Sequence, residues 1–225
     1  MSVIYKNIIC CPDCFYDSEI QNAIQQSCCA LENQWIYNIN EAHDETVLHD
    51  ECDFVICTDR PDEEMKTILV IFKDTDLKTI RDLRAKHIPI LFRARDMALR
   101  LSSQKNPATI QSVYFNYMPS VFQLHMHISE VVSSTCHVRA HRFNEVIRNL
   151  RKRDLYYKEA LILTRIQRNH CLFPHYKLSL FQQKSNRESN SNALNASTNF
   201  DQTYLVSDAC HQKIPSKIVR SQNIC

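Results

Sequence analysis

Apolar and polar residues alternate most regularly in the segment from Ser112 to Glu130. β-Branched and aromatic residues at 113–115 and 121–122 predict two strands, and the pair Pro119-Ser120 between them is typical of a turn. The second strand has a period of two, which places alternate side chains on opposite faces. One face carries Leu124, Met126 and Ile128, and the other carries Gln123, His125 and His127. This strand is predicted to bury three apolar side chains and to hold two imidazoles about 6 to 7 Å apart.

Helices and further strands are predicted along the rest of the chain. Helices are expected at 19–31, 86–102 and 133–150, the last with an N-cap in Ser133-Ser134-Thr135. Strands are expected at 53–59, 66–73 and 157–166. Residues 182–203 are rich in Ser, Asn and Gln, which indicates disorder. We expect an α+β fold with an antiparallel sheet and flanking helices, between a short N-terminal extension and a disordered C-terminal tail.

Charge and hydropathy limit the classes of partner. A net charge of +2 and an isoelectric point near 8.0 give no support to a basic surface for long nucleic acid duplexes. The apolar run 68–72 is far too short to span a membrane. Lys6 and Asn7 interrupt the apolar residues near the start, so no secretory signal is predicted. We expect a soluble intracellular protein without a membrane partner.

The eleven cysteines are expected to be free thiols, because intracellular compartments are reducing. Cys11 and Cys14 nevertheless have the spacing of zinc ligands, and Cys28 and Cys29 could complete such a site. An adjacent pair of cysteines is a poor second half of a zinc site. Free thiols are therefore the favoured interpretation, and a metal-binding regulatory protein is the weaker alternative.

The two imidazoles suit a phosphate, since one can attack phosphorus while the other supports the charge on its oxygens. A histidine pair alone more often marks a polar strand face or a metal site. The run Tyr-Met-Pro-Ser-Val-Phe-Gln-Leu-His-Met-His-Ile at 117–128, however, closely resembles the signature of the scavenger mRNA-decapping enzymes. These enzymes are a branch of the histidine-triad (HIT) superfamily. The resemblance extends from about Trp35 to Ile166 in four separate blocks.

The resemblance implies a HIT-like fold and a set of site residues. It implies that His125 is the nucleophile and that His127 is the third histidine of the triad. Gln123 stands where the family has its first histidine. The residues implied for substrate binding are Trp35, Glu45, Asp59, Asn116, Ser120 and Gln123.

Physical chemistry supports the implied base-binding residues. In the family a tryptophan stacks on the methylated guanine, and 7-methylguanine is a cation that an indole face attracts. The carboxylates implied at Glu45 and Asp59 can accept from the N–H groups of guanine. Taken alone, a single tryptophan is more often part of a core, and the acidic stretch around Glu45 is equally typical of a solvated loop.

The resemblance implies an enzyme that hydrolyses the 7-methylguanosine cap triphosphate of short capped RNA fragments or cap dinucleotides left by mRNA decay. The implied product is 7-methylguanosine monophosphate. No metal or other cofactor is expected, because the nucleophile is a neutral imidazole. The alternative is a catalytically weakened or non-catalytic relative that binds caps or nucleotides, or that dimerises with an intact paralogue. Gln123, Asn116 and Val121 favour it, since the family has two histidines and a phosphate-contacting tyrosine at these positions.

The resemblance also implies an organisation and a location. Residues 1–34 are expected to form a short N-terminal segment in place of a larger swapped domain, residues 35–175 the HIT-like domain, and residues 176–225 the tail. We expect a homodimer that acts in the cytoplasm and the nucleus, in deadenylation-dependent mRNA decay.

Overall fold

The computed structural model describes residues 5–39, 46–58, 67–105, 111–129, 138–175 and 204–205. Its strands are β1 (Tyr5–Cys10), β2 (Val47–Asp50), β3 (Phe54–Thr58), β4 (Thr67–Phe72), β5 (Ser112–Asn116), β6 (His125–Ser129), β7 (Ala140–Arg142), β8 (Ile162–Gln167) and β9 (Tyr204–Leu205). Its helices are α1 (Pro12–Phe15), α2 (Ser18–Cys29), α3 (Ile88–Lys105), α4 (Phe143–Lys152) and α5 (Tyr156–Glu159). These elements confirm the expected α+β fold with an antiparallel sheet and flanking helices.

Within the described residues, six strands form the main sheet, in the order β2-β3-β4-β6-β5-β7, and each neighbouring pair is antiparallel. The strand β6 lies inside the sheet, with Leu69 of β4 on one side of His127 and Tyr114 of β5 on the other. Residues that pair in this way present their side chains to the same face. The register therefore determines which residues from different strands share a face.

The main core covers one face of this sheet. Met126 and Ile128 of β6 are buried there, together with Leu124, as the alternation along the sequence predicts. The helix α4 contributes an apolar stripe with helical spacing, made of four buried residues: Phe143, Val146, Ile147 and Leu150. The opposite face of β6 is left for its two histidines.

A second sheet joins the N-terminal segment to the main core. It has the order β8-β1-β9, with β1 antiparallel to β8 and parallel to β9. Ile8 and Cys10 of β1 are buried in the main core. The domain boundaries at 34 and 175 remain predictions. Of the expected tail, the structure describes β9 alone, and the other residues of 176–225 lie outside the described ranges.

Several predicted elements are confirmed. The predictions at 19–31, 53–59, 66–73 and 86–102 correspond to α2, β3, β4 and α3, with ends shifted by a few residues. Within the described ranges, no helix combines the length and the apolar character that crossing a bilayer requires.

Three predicted element boundaries are wrong. β6 begins at His125 rather than near Val121, because the preceding chain turns away from the sheet and the Leu124 N–H donates to the Leu77 carbonyl. The helix predicted from 133 begins at Phe143, since residues 140–142 pair with β5 as β7. The predicted N-cap at 133–135 lies outside the described residues. The strand predicted at 157–166 is divided into α5 and β8, with Tyr157 buried in the core.

The N-terminal cysteines differ in part from the free thiols predicted from the sequence. Cys11 and Cys14 form a disulfide, so the prediction of free thiols is wrong for this pair. Cys28 is buried in the main core with its Sγ 3.6 Å from the Phe122 carbonyl oxygen, whereas Cys29 is exposed. These four cysteines therefore do not form the zinc site that their spacing suggested.

Candidate active site

The strand β6 presents two histidines on the face opposite the main core. The rings of His125 and His127 are half-buried, and their centroids lie 5.1 Å apart with the planes at 68°. On β4, Ile71 is the neighbour of His125 and Leu69 is the neighbour of His127. The alternation of β6 thus fixes both imidazoles side by side on an otherwise apolar part of the sheet.

The tautomer of His125 is set by the chain just before β6. Its Nδ1 lies 2.7 Å from the carbonyl oxygen of Gln123. A carbonyl oxygen can only accept, so Nδ1 carries the proton and donates. The lone pair of the neutral ring is then on Nε2, so Nε2 is the ring atom with nucleophilic character.

Two neighbours on β5 hold His127. The ring of Tyr114 stacks on the imidazole, with centroids 5.1 Å apart and planes at 7°. The side-chain Nδ2 of Asn116 lies 3.0 Å from Nε2 of His127. With the amide in this orientation Nδ2 donates, so the proton of a neutral His127 is on Nδ1.

His127 is held neutral. Burial lowers its pKa well below the usual range, and the nearby His125 and Arg139 lower it further. The guanidinium of Arg139 also donates to the carbonyl of Met118 at 2.8 Å, which fixes a positive charge near the histidine pair. The site therefore combines two imidazoles with a permanent cation, a combination suited to a phosphate group.

Gln123 occupies a different place from the one expected. Its side chain is 2% exposed, and its amide nitrogen donates to the carbonyls of Phe72 and of Asp74, the latter at 2.9 Å. The expected substrate contact through this amide nitrogen is thus corrected, because the nitrogen is engaged with the backbone at the end of β4. Gln123 acts on the site through its own carbonyl, which positions His125.

Trp35 lies on the same side of the sheet as the histidines. It belongs to a 3₁₀ turn, Leu31–Ile36, and packs against an apolar cluster beneath it. The buried members of this cluster are Ile36, Ile39, Val55, Cys57, Leu69, Ile71 and Val121. Two of them, Leu69 and Ile71, are the cross-strand neighbours of His127 and His125. The strand β4 therefore connects the indole with the two imidazoles on one face.

Of the three other residues predicted for the site, only Ser120 lies in the described part of the chain. Ser120 is exposed in the turn after β5, and the adjacent Val121 is a buried member of the apolar cluster against which Trp35 packs. Glu45 and Asp59 lie outside the described residues. The structure thus brings His125, His127 and Asn116 into contact and places Trp35 on the same face.

Two residues at the site were not predicted from the sequence, Tyr114 and Arg139. The spacing of two residues between Tyr114 and Asn116 is the one signal that could have placed the tyrosine ring on this face. Arg139 carries no such local signal, because its position near His127 depends on the return of the chain to the sheet edge.

Two histidines at alternate positions of an inner strand of an antiparallel sheet, with Gln123 two residues before the first, match the arrangement that the resemblance to HIT proteins implied. Residues 34–141 match the family model described as "Scavenger mRNA decapping enzyme C-term binding". These residues are just under half of the chain, and over them the sequence is similar to the scavenger mRNA-decapping family.

Curated relatives include the m7GpppX diphosphatase of Ascaris suum, which is 29% identical over 157 residues, 63% of this chain and 52% of the relative. The m7GpppX diphosphatase of Schizosaccharomyces pombe is 30% identical over 159 residues, 62% of this chain and 51% of the relative. The chain spans about half the length of these relatives. A solved structure, "Hnt3 in complex with DNA and guanosine", overlaps 43% of this chain and 58% of its own, with a TM-score of 0.32 and 17% identity. An overlap this limited carries no argument about the ligand.

Proposed function

We propose that this chain hydrolyses the triphosphate bridge of 7-methylguanosine-capped dinucleotides and short capped RNA fragments. The observation that carries the proposal is the hydrogen bond from Nδ1 of His125 to the Gln123 carbonyl, which leaves the lone pair on Nε2. The names of the curated relatives supply the substrate class.

The reaction proceeds in two displacements at one phosphorus atom. Nε2 of His125 attacks the phosphate attached to 7-methylguanosine, and the bond from that phosphorus to the bridging oxygen breaks. The leaving group is a nucleoside diphosphate or a 5′-diphosphate oligonucleotide, which is already anionic and needs no proton. Water then attacks the same phosphorus, the bond from phosphorus to Nε2 breaks, and the water gives up one proton to solvent. 7-Methylguanosine monophosphate is released, and His125 is neutral again.

The neighbouring groups lower the barrier by stabilising charge. The proton on Nδ1 of neutral His127 can be donated to a phosphate oxygen, and Asn116 holds this tautomer through Nε2. The Arg139 guanidinium supplies a positive charge close by. Ser120, exposed in the turn after β5, is a further donor for a phosphate oxygen. Such donors, fixed before the reaction, act where negative charge accumulates.

Binding of the base is assigned to Trp35. Its partly buried indole rests on the apolar cluster beside β4, so it is held as a platform on the histidine face. A cationic 7-methylguanine stacked on it gains both surface burial and cation–π attraction. Glu45 and Asp59 are proposed to accept from the guanine N–H groups.

Purified protein incubated with the capped dinucleotide m7GpppG tests the proposal. The expected products are 7-methylguanosine monophosphate and GDP, separated by chromatography. His125→Asn should abolish them, whereas His49→Asn should not, since His49 lies on the edge strand β2 and pairs with Glu51. If the wild-type protein gives no product even when the enzyme is in excess over the substrate, the proposal is overturned.

The second candidate function is binding of caps or nucleotides without hydrolysis. Gln123 in place of a histidine, with its amide nitrogen engaged by backbone carbonyls, favours it. Trp35 is the only tryptophan of the chain, so its intrinsic fluorescence reports on ligand at this face. Quenching by 7-methyl-GDP that is lost in Trp35→Phe, without cleavage of m7GpppG, would identify the binding module.

We further propose that the protein is a homodimer and acts in the cytoplasm and the nucleus in deadenylation-dependent mRNA decay. The similarity to the decapping family supports these points. Light scattering coupled to size exclusion measures the mass of the particle, and a single-chain mass at micromolar concentration would contradict the dimer. Imaging of a tagged chain tests the compartments.

A further inference from the structure

Arg142 lies on the same face of the sheet as the histidine pair. Tyr114 of β5 pairs with His127 on one side and with Arg142 of β7 on the other. Paired residues of antiparallel strands share a face, so Arg142 and His127 flank Tyr114 in one row across the sheet. Two strand spacings separate Arg142 from His127, a distance of about 10 Å between backbones.

This row continues the line that begins at Trp35. On the other side of His127 the row passes through Leu69, which belongs to the apolar cluster beneath the indole. The base platform, the histidines and Arg142 are therefore arranged in sequence across the strands. β7 is the last strand of the order, and Arg142 is exposed at this sheet edge.

Helix stability does not explain an arginine at this position. Arg142 is the N-cap residue of α4, and its side chain makes no capping hydrogen bond. Ser, Thr, Asp and Asn are preferred at this position because their oxygens accept from the first N–H groups. A cation at a helix N-terminus is also repelled by the helix dipole. Arg142 thus has an unfavourable local environment on the face that carries the site.

We propose that Arg142 binds a phosphate of the leaving nucleotide, either the distal phosphate of the bridge or the next phosphodiester. The inference rests on the proposed function, because attack at His125 defines which part of the substrate lies beyond the histidines. With the base on Trp35 and the reacting phosphate on β6, the leaving part extends over Tyr114 toward Arg142. Arg142 would then favour capped oligonucleotides over 7-methyl-GDP, which has no leaving nucleotide.

The expected effect is moderate because Arg142 is exposed. A guanidinium–phosphate contact in solvent should improve affinity about three- to tenfold. Each contact between a cation and a phosphate of a single strand also adds about 0.7 to the slope of log K against log salt concentration. Removing Arg142 should lower this slope by the same amount for an oligonucleotide ligand, whereas it should leave the slope for 7-methyl-GDP unchanged.

Calorimetric titration measures both effects. His125→Asn serves as the background, so that ligands are not cleaved, and the ligands are 7-methyl-GDP and a capped trinucleotide. The test variant is Arg142→Ser, which removes the cation and supplies a preferred N-cap, so its melting temperature should rise. The control is Arg148→Ser, which removes an exposed arginine of α4 that lies outside β7.

We expect Arg142→Ser to weaken the capped trinucleotide three- to tenfold, to reduce its salt slope, and to leave 7-methyl-GDP binding unchanged. Arg142→Lys should retain part of the affinity, and Arg148→Ser should retain all of it. Equal affinities for the trinucleotide with and without Arg142→Ser in the His125→Asn background would overturn this inference. Equal weakening of both ligands would do the same. The proposed function would not be affected. Failure of the His125→Asn background and the unmodified protein to bind either ligand would overturn the proposed function and this inference with it.

Discussion

The imidazole Nδ1 of His125 lies 2.7 Å from the backbone carbonyl oxygen of Gln123, two residues earlier in the chain. In a regular strand this carbonyl would point along the sheet to a neighbouring strand. Here β6 begins only at His125, so the carbonyl is available to the ring. Because β6 begins only at His125, the pairing of β6 with its neighbours starts there and the Gln123 carbonyl orients the proposed nucleophile.

Gln123→Leu should destabilise the fold and disturb His125. Its amide nitrogen satisfies the carbonyls of Phe72 and Asp74, and leaving such groups unpaired costs about 1 to 3 kcal/mol. Urea denaturation should show a loss of this size. The matched control is Gln26→Leu on the exposed side of α2, for which a change within about 0.5 kcal/mol is expected. Equal stability of the two variants would contradict a structural role for Gln123.

Arg81→Met should destabilise the protein by about 3 kcal/mol or more. The guanidinium is fully buried and donates to the Tyr117 hydroxyl and to the carbonyls of Cys10, Tyr157 and Ala160. Removal leaves several buried acceptors unpaired at once. Arg81→Lys should recover only part of the loss, since an ammonium cannot reproduce the planar set of donors.

Thermal and urea unfolding of these Arg81 variants should be compared with Arg100→Met. Arg100 is exposed on α3, so its replacement should change the free energy of unfolding by less than about 0.5 kcal/mol. A wild-type melting temperature for Arg81→Met would show that β1 is held to the main core without this side chain.

Stability should fall as the pH decreases from about 6.5 to about 4. Burial, with a smaller effect from Arg81, lowers the pKa of His141 to about 4. The unfolded chain binds the proton more readily, so the contribution of neutral His141 is fully present above the unfolded pKa and is lost as the pH falls through the folded one. The difference corresponds to about 3 kcal/mol.

His141→Phe tests this pH dependence. The phenyl ring can retain the edge contacts with Tyr117 and Tyr157 and has no proton to bind. Urea unfolding at pH 7.5 and pH 4.5 should show a smaller difference in the variant than in the wild type. His127, whose pKa is lowered in the same direction, leaves part of the dependence in place. An unchanged difference would exclude His141 as a main source.

Reduction of the Cys11–Cys14 disulfide should lower stability modestly. The bond closes a short loop, with a sequence separation of 3, and loops of this size correspond to about 2 kcal/mol. Unfolding with and without dithiothreitol should show this difference, and the double variant Cys11→Ser, Cys14→Ser should be insensitive to the reductant. Complete alkylation of both residues without prior reduction, seen by mass spectrometry, would show that the bond is absent in solution.

Much of the sheet and one side of the site could be read from local patterns. The alternation along β6 predicted which residues are buried and placed His125 and His127 together on the other face. The apolar runs of β3 and β4 and the amphipathic α3 were also predicted, because burial in these elements follows the short periods of strand and helix. The helix α2 was predicted from its composition, since the apolar spacing of its sequence is weak. Resemblance to the decapping enzymes pointed to Trp35 and Asn116.

The remaining features depend on contacts between residues distant in the chain. Whether β6 began at Val121 or His125, and where the Gln123 amide pointed, was decided by backbone partners at the end of β4. Tyr114 and Arg142 share the face of the histidines because β5 pairs with β6 and with β7. The sequence by itself determined the face on which the imidazoles lie, since side-chain direction alternates within a strand. Only the tertiary structure decided their tautomers and neighbours, because strand register and carbonyl direction are properties of the assembled sheet.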